Sequence, residues 1–76
     1  MGIVREYAGK IPELGQRVYL AETAAVIGDV VLGDDVSIWF NAVLRGDMHH
    51  IRVGARTNVQ DNATLHVTEG VAPCLV

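Results

Sequence analysis

The sequence predicts an all-β chain, a parallel β-helix of hexapeptide repeats, on three observations. Leu20, Val26, Leu32, Ile38 and Leu44 stand six residues apart without a break, and Val53, Val59 and Leu65 resume the count after one irregular interval. Four residues after most of these rungs comes a second small or apolar side chain: Ala24, Val30, Val36 and Ala42, then Thr57 and Ala63. Between the rungs recur turn formers, Gly28, Asp29, Gly33, Asp34, Asp35, Gly46, Asp47 and Gly54, which tolerate unusual backbone angles or bond their own backbone. A period of six suits neither the 3.6 residues of a helix nor the alternation of a two-faced strand. It suits short strand, turn, short strand, turn, the signature of a β-helix. Three hexads make a triangular coil of about 18 residues, and successive coils stack at roughly 4.8 Å.

Taken in order, residues 1–17 read as a lead-in strand and turn that caps the open end of the first coil, because the rung pattern has not yet begun. Residues 18–76 read as the repeat domain, somewhat under three coils, with Pro12 and Pro73 outside the rung tract. The interval from Leu44 to Val53 is nine instead of six, so residues 45–52 are expected to bulge or loop outside the regular coil. In repeat architectures such departures often carry function. Trp39 and Phe40 flank the inward Ile38 and are expected to face outward, forming an apolar patch suited to a subunit interface.

Composition narrows the function classes. The chain has 76 residues, half of them hydrophobic, which is one small domain and too apolar for disorder. A net charge of −3, with acidic and basic residues scattered, offers no basic stripe for nucleic acid. No run approaches the ~18 apolar residues of a membrane span, and the first residues lack the apolar stretch of a secretory signal, so a cytoplasmic location is expected. Asn62-Ala63-Thr64 matches the glycosylation sequon only formally. Cys74 is the single cysteine, so no intrachain disulfide can form.

Three histidines are candidates for chemistry. Adjacent His49 and His50 project to opposite sides of an extended segment and cannot bind one ion by simple strand geometry. His66 follows rung Leu65 directly and falls on the outer face of a coil.

The ordered elements Arg45-Gly46-Asp47, Ile51-Arg52-Val53-Gly54, Thr57-Asn58-Val59-Gln60-Asp61-Asn62 and Leu65-His66-Val67 lie on this ladder. Together they closely resemble the gamma-class carbonic anhydrase family, over residues 18–67 or about two thirds of the chain and in the family's N-terminal portion. The resemblance implies a trimer of left-handed β-helices in which three histidines hold zinc, or in some members iron or cobalt, between two subunits. His66 matches the first ligand. Gln60 matches the polar residue that positions metal-bound water or hydroxide. Arg45 and Asp47 match a pair that ties neighbouring subunits together. Asn58 and Asp61 fall on positions near the site, Asn58 as a structural residue and Asp61 beside the ligands or at the interface. Glu69 lies three after His66, where some members carry a proton-shuttling glutamate, although Met48 stands where those members have another acid.

The implied chemistry is reversible hydration of CO₂ to bicarbonate. Neutral imidazoles leave Zn²⁺ enough charge to bring the pKa of bound water to about 7, and the hydroxide so formed attacks CO₂. A carboxamide such as Gln60 donates and accepts hydrogen bonds without titrating. Only one of the three expected histidine ligands matches this sequence, the others falling downstream in the family. Two alternatives therefore stand beside catalysis: a structural or assembly module or fragment of the family, and a hexapeptide acyltransferase with His66 as general base.

Overall fold

The computed structural model describes residues 2–66 and 74–75, and among them every regular element is a strand. In chain order these are β1 (Ile3–Arg5), β2 (Glu13–Leu14), β3 (Tyr19–Leu20), β4 (Ala25–Leu32), β5 (Ser37–Ile38), β6 (Val43–Val53), β7 (Asn58–Val59), β8 (Thr64–His66) and β9 (Cys74–Leu75). All the strand pairings are parallel. No helix long and apolar enough to cross a membrane occurs among the described residues.

Three stacks make the faces of a triangular coil. The first joins β1, the start of β4, the start of β6, and β8; Ala25 pairs with Val43 and Val43 with Thr64. The second joins β2, the end of β4, the end of β6, and β9. The third joins β3, β5 and β7, with Leu20 over Ile38 and Ile38 over Val59. Strands β4 and β6 therefore run through a corner and serve two faces each.

The rungs become vertical core columns: Leu20, Ile38, Val59; Val26, Leu44, Leu65; Leu14, Leu32, Val53. The smaller residues stack beside them, Ala24 and Ala42 fully buried and Ala63 packed against the core. Each fully buried Val, Leu or Ile contributes about 1.5 to 3 kcal/mol, and among the described residues no polar side chain is buried in the interior.

Two corners are tight turns. At one, Arg17, Asp35 and Arg56 take left-handed φ of 56°, 60° and 61°; at the other, Asn41 and Asn62 do so at 62° and 63°. Asn and Asp tolerate that region readily, whereas the two arginines are held there by bonds between coils. Asp35 N–H donates to the Gln16 carbonyl, Arg56 N–H to the Asp34 carbonyl and Gln16 N–H to Asp34 Oδ1. An ion pair at 2.7 Å joins Arg17 Nε to Asp35 Oδ1 across the coils. The side-chain hydrogen bond from Arg17, with the Arg17 and Arg56 charges, lowers the Asp35 pKa.

The third corner is irregular. Gly28 pairs with Gly46, but the next paired residues are Val30 and Ile51, so residues 47–50 stand opposite Asp29 alone. The coil offset grows accordingly from 18 residues, as between Arg17 and Asp35, to 21, as between Ser37 and Asn58. The bulge expected over residues 45–52 is present but narrower: residues 47–50 leave the one-to-one register, while residues 45, 46, 51 and 52 keep it. β6 runs unbroken, Arg45 pairs with Ile27 and Arg52 with Val31, and Ile51 is a fully buried core residue above which Val30 stands. Coil closure needs an apolar residue at that point, and Ile51 supplies it, six residues before Thr57 and twelve before Ala63 in the resumed second column. The same corner carries a second excursion, a two-residue hairpin in which Tyr7 and Lys10 exchange backbone bonds and Ala8 and Gly9 take φ of 51° and 81°.

Candidate functional site

The irregular corner gathers two ion pairs, Arg45–Asp47 and Arg52–Asp29. Within the β6 bulge Arg45 Nη2 lies 2.8 Å from Asp47 Oδ2, with the Asp47 side chain only 15% exposed. A charge-assisted bond of this length is stronger than a neutral one and fixes the direction of both side chains. Arg52 Nη1 reaches Asp29 Oδ1 on the preceding coil at 3.2 Å and also the carbonyl of Ile51. Arg52 and Asp29, with the hairpin, wall an open groove of about 370 Å³ that Lys10, Glu13, Val30 and Val31 also line.

The residues singled out in the sequence fall into two groups. His66 is the last residue of β8, and its register partner is Arg45, so the coil stack sets His66 beside the Arg45–Asp47 pair at the irregular corner. Asn58, Gln60 and Asp61 belong to the third face and the turn after it, before β8 begins, and all are exposed. The two groups thus lie at opposite ends of β8 within one chain. Glu69 lies outside the described residues.

On the third face Ser37 pairs with Asn58, and the Ser37 hydroxyl donates to Asn58 Oδ1 while accepting the indole N–H of Trp39 at 3.0 Å. Trp39 N–H donates to the Val59 carbonyl, which brings Trp39 over Gln60. The indole packs on Tyr19 of the preceding coil at 5.0 Å between ring centres, and Phe40 lies 6.4 Å from it. Trp39 is half-buried, and Tyr19 and Phe40 are 47% and 46% exposed, an aromatic patch wider than the Trp39–Phe40 pair that the sequence suggested. The rung count identified Ile38 and its neighbours but carried no sign that Ser37, Trp39 and Asn58 form one bonded set.

Among the described residues no group of three or more His, Cys, Asp or Glu side chains is placed to hold a metal ion. The described residues therefore do not fit a metal by themselves.

No family model matches the chain. It is 52% identical over 66 residues to Protein YrdA of Escherichia coli (strain K12), which covers 87% of this chain and 36% of that protein. It is 48% identical over 60 residues to Gamma carbonic anhydrase 2, mitochondrial, of Arabidopsis thaliana, covering 79% and 22%. To the Carbonic anhydrase of Geobacillus kaustophilus (strain HTA426) it is 42% identical over 64 residues, covering 84% and 35%. A Bacillus subtilis (strain 168) relative named Uncharacterized transferase YtoA is 39% identical over 64 residues, covering 84% and 37%. The chain thus spans between 22% and 37% of the length of these relatives.

Proposed function

The chain belongs to the gamma carbonic anhydrase-like family, and on that premise we propose that it supplies part of a metal-dependent site for the reversible hydration of CO₂ to bicarbonate. The site is completed by residues outside the described chain, in a trimer of left-handed β-helices in a reducing compartment such as the cytoplasm. The observation that carries the reading is the pairing of His66 with Arg45, which is itself bonded to Asp47.

In this reading His66 offers one imidazole to zinc, iron or cobalt. The remaining ligands come from further coils or from a second copy, since the described residues hold no set of three. The separation of Gln60 from His66 along β8 supports a site shared between copies, in which the third face of one chain meets the irregular corner of another. Gln60 orients the attacking water, because its carboxamide both donates and accepts and carries no charge to be lost with pH. Arg45 and Asp47 hold the corner rigid at the interface, Asn58 stiffens the third face, and Asp61 lies at the turn beside Gln60. Glu69 serves as the proton shuttle.

A chimera tests the reading, with the matching 64 residues of the Geobacillus kaustophilus relative replaced by those of this chain. The expected result is CO₂ hydration with bound metal, lost at least 100-fold (about 2.7 kcal/mol) with His66→Ala and lowered roughly tenfold with Gln60→Ala. Activity indifferent to both substitutions would remove these residues from the chemistry. A folded chimera that binds no metal and hydrates no CO₂ would favour the assembly-module reading instead. The transferase-named relative supports a second reading, acyl transfer from coenzyme A with His66 as general base, for which acetyl-coenzyme A turnover by the same chimera is the check.

A further inference from the structure

The bonded set on the third face has a polarity that the proposed reaction does not by itself require. The Trp39 indole can only donate, so Ser37 Oγ accepts there at 3.0 Å. The hydroxyl proton of Ser37 is then directed to Asn58 Oδ1. With its oxygen engaged, the Asn58 carboxamide is held in one flip state, and its NH₂ group has no partner among the described residues. Trp39 itself is fixed by the Tyr19 ring at 5.0 Å and by the backbone bond to the Val59 carbonyl, so the origin of the relay does not move.

We propose that Trp39 and Ser37 are positioning residues that turn Asn58 into a fixed, donor-only contact for an oxyanion, bicarbonate in the proposed reaction, on the side of the coil that carries Gln60. The inference rests on the reading of the site as a CO₂ hydration site. A freely rotating asparagine would present donor and acceptor about equally, and its acceptor face would repel an oxyanion. Locking the oxygen against Ser37 removes that half of the rotamers before the ligand arrives, which lowers the ordering cost of binding. Burying the indole on Tyr19 places the anchor of the relay where water competes least for the bond.

The test is ¹⁵N NMR on the 76-residue chain titrated with bicarbonate at constant ionic strength, with chloride as the control. The Asn58 side-chain NH₂ resonances are expected to shift and saturate with bicarbonate and not with chloride. Trp39→Phe, which keeps an aromatic ring beside Tyr19 while removing the indole N–H along with part of the ring, and Ser37→Ala are expected to weaken the apparent Kd roughly three- to tenfold, the factor of one neutral hydrogen bond. Ser37→Thr, which restores a hydroxyl, is expected to recover most of the loss. Asn58 resonances that do not respond, or variants that bind bicarbonate like the parent chain while their backbone spectra stay native, would overturn the proposal. The outcomes separate from those of the chimera. Metal binding and hydration with an unresponsive Asn58 overturn the relay alone, and a saturating Asn58 response without metal or hydration in the chimera overturns the reaction and upholds the oxyanion contact.

Discussion

At Gly46 an added Cβ would lie 2.5 Å from the carbonyl oxygen of Asp29, and at Gly28, held at φ +78°, it would lie 2.6 Å from the carbonyl oxygen of Gly46. Backbone atoms on adjacent coils cannot yield as a flexible side chain does. Gly46→Ala is therefore expected to cost about 1 to 3 kcal/mol in urea unfolding, and a loss below about 0.5 kcal/mol would mean that the corner opens freely. The Arg17–Asp35 pair gives a pH signature. The folded Asp35 carboxyl titrates below its ordinary value of about 3.9, chiefly through the Arg17 hydrogen bond. A depressed folded pKa contributes stability that is complete above the unfolded value and is lost as pH falls through the folded one. Asp35→Asn should therefore leave less stability to lose below about pH 4 than the parent chain does. Acid unfolding curves that superimpose for the two proteins would show that the exposed pair contributes nothing to folding.

The element that decides the geometry of the candidate site is β6. Its first half belongs to one face, its second half to the next, and residues 47–50 occupy the corner where β4 needs only Asp29. The preceding coil shows that a single residue turns this corner. Deleting residues 48–50 is thus expected to preserve the fold, with a urea midpoint equal to or above that of the parent, because the shorter connection restores one-to-one pairing and closes less chain. The same deletion in the chimera is expected to abolish hydration, because it takes the Arg45–Asp47 pair out of its place beside His66. A deletion variant that no longer folds, judged by far-UV circular dichroism, would show that the bulge supports the coil itself. The sequence made the extra half-hexad visible through the nine-residue interval, and the second column, counted back by six from Ala63 and Thr57, reaches Ile51, which the structure buries; counting the rungs alone passes over it. Simple counting treats an interruption as an exit from the coil, whereas the physical demand is only that each face present an apolar residue inward.

At the scale of the molecule the coils stack in one dimension, so stability is largely a sum over neighbouring coils. Strands β4 and β6 are paired on both sides, while β7 and β8 are paired on one side among the described residues. Amide hydrogen exchange is expected to be slowest in β4 and in the first half of β6, and at least about tenfold faster in β7 and β8. Equal protection of β7 and β8 would mean that another strand or another copy covers them. That result bears directly on the proposed trimer, because an unpaired strand end is a template for association. The aromatic patch of Tyr19, Trp39 and Phe40 adds apolar surface beside the same face.

The sequence by itself determined the all-β repeat, the inward columns of Leu20, Ile38 and Val59 and their neighbours, and the family through the ordered strings around Arg45, Asn58 and His66. Those features are legible because a coil that stacks on itself must repeat its inward residue at a fixed interval, and because the resemblance lies in contiguous strings. Tertiary structure alone decided that the hairpin at Tyr7–Lys10 and the β6 bulge share one corner, that Arg45 stands beside His66, and that Trp39, Ser37 and Asn58 form one relay. Each of these joins residues on different coils or depends on how many residues a corner absorbs. Stacking register sets them, and register follows from packing and backbone pairing across the whole coil, not from any short stretch of sequence.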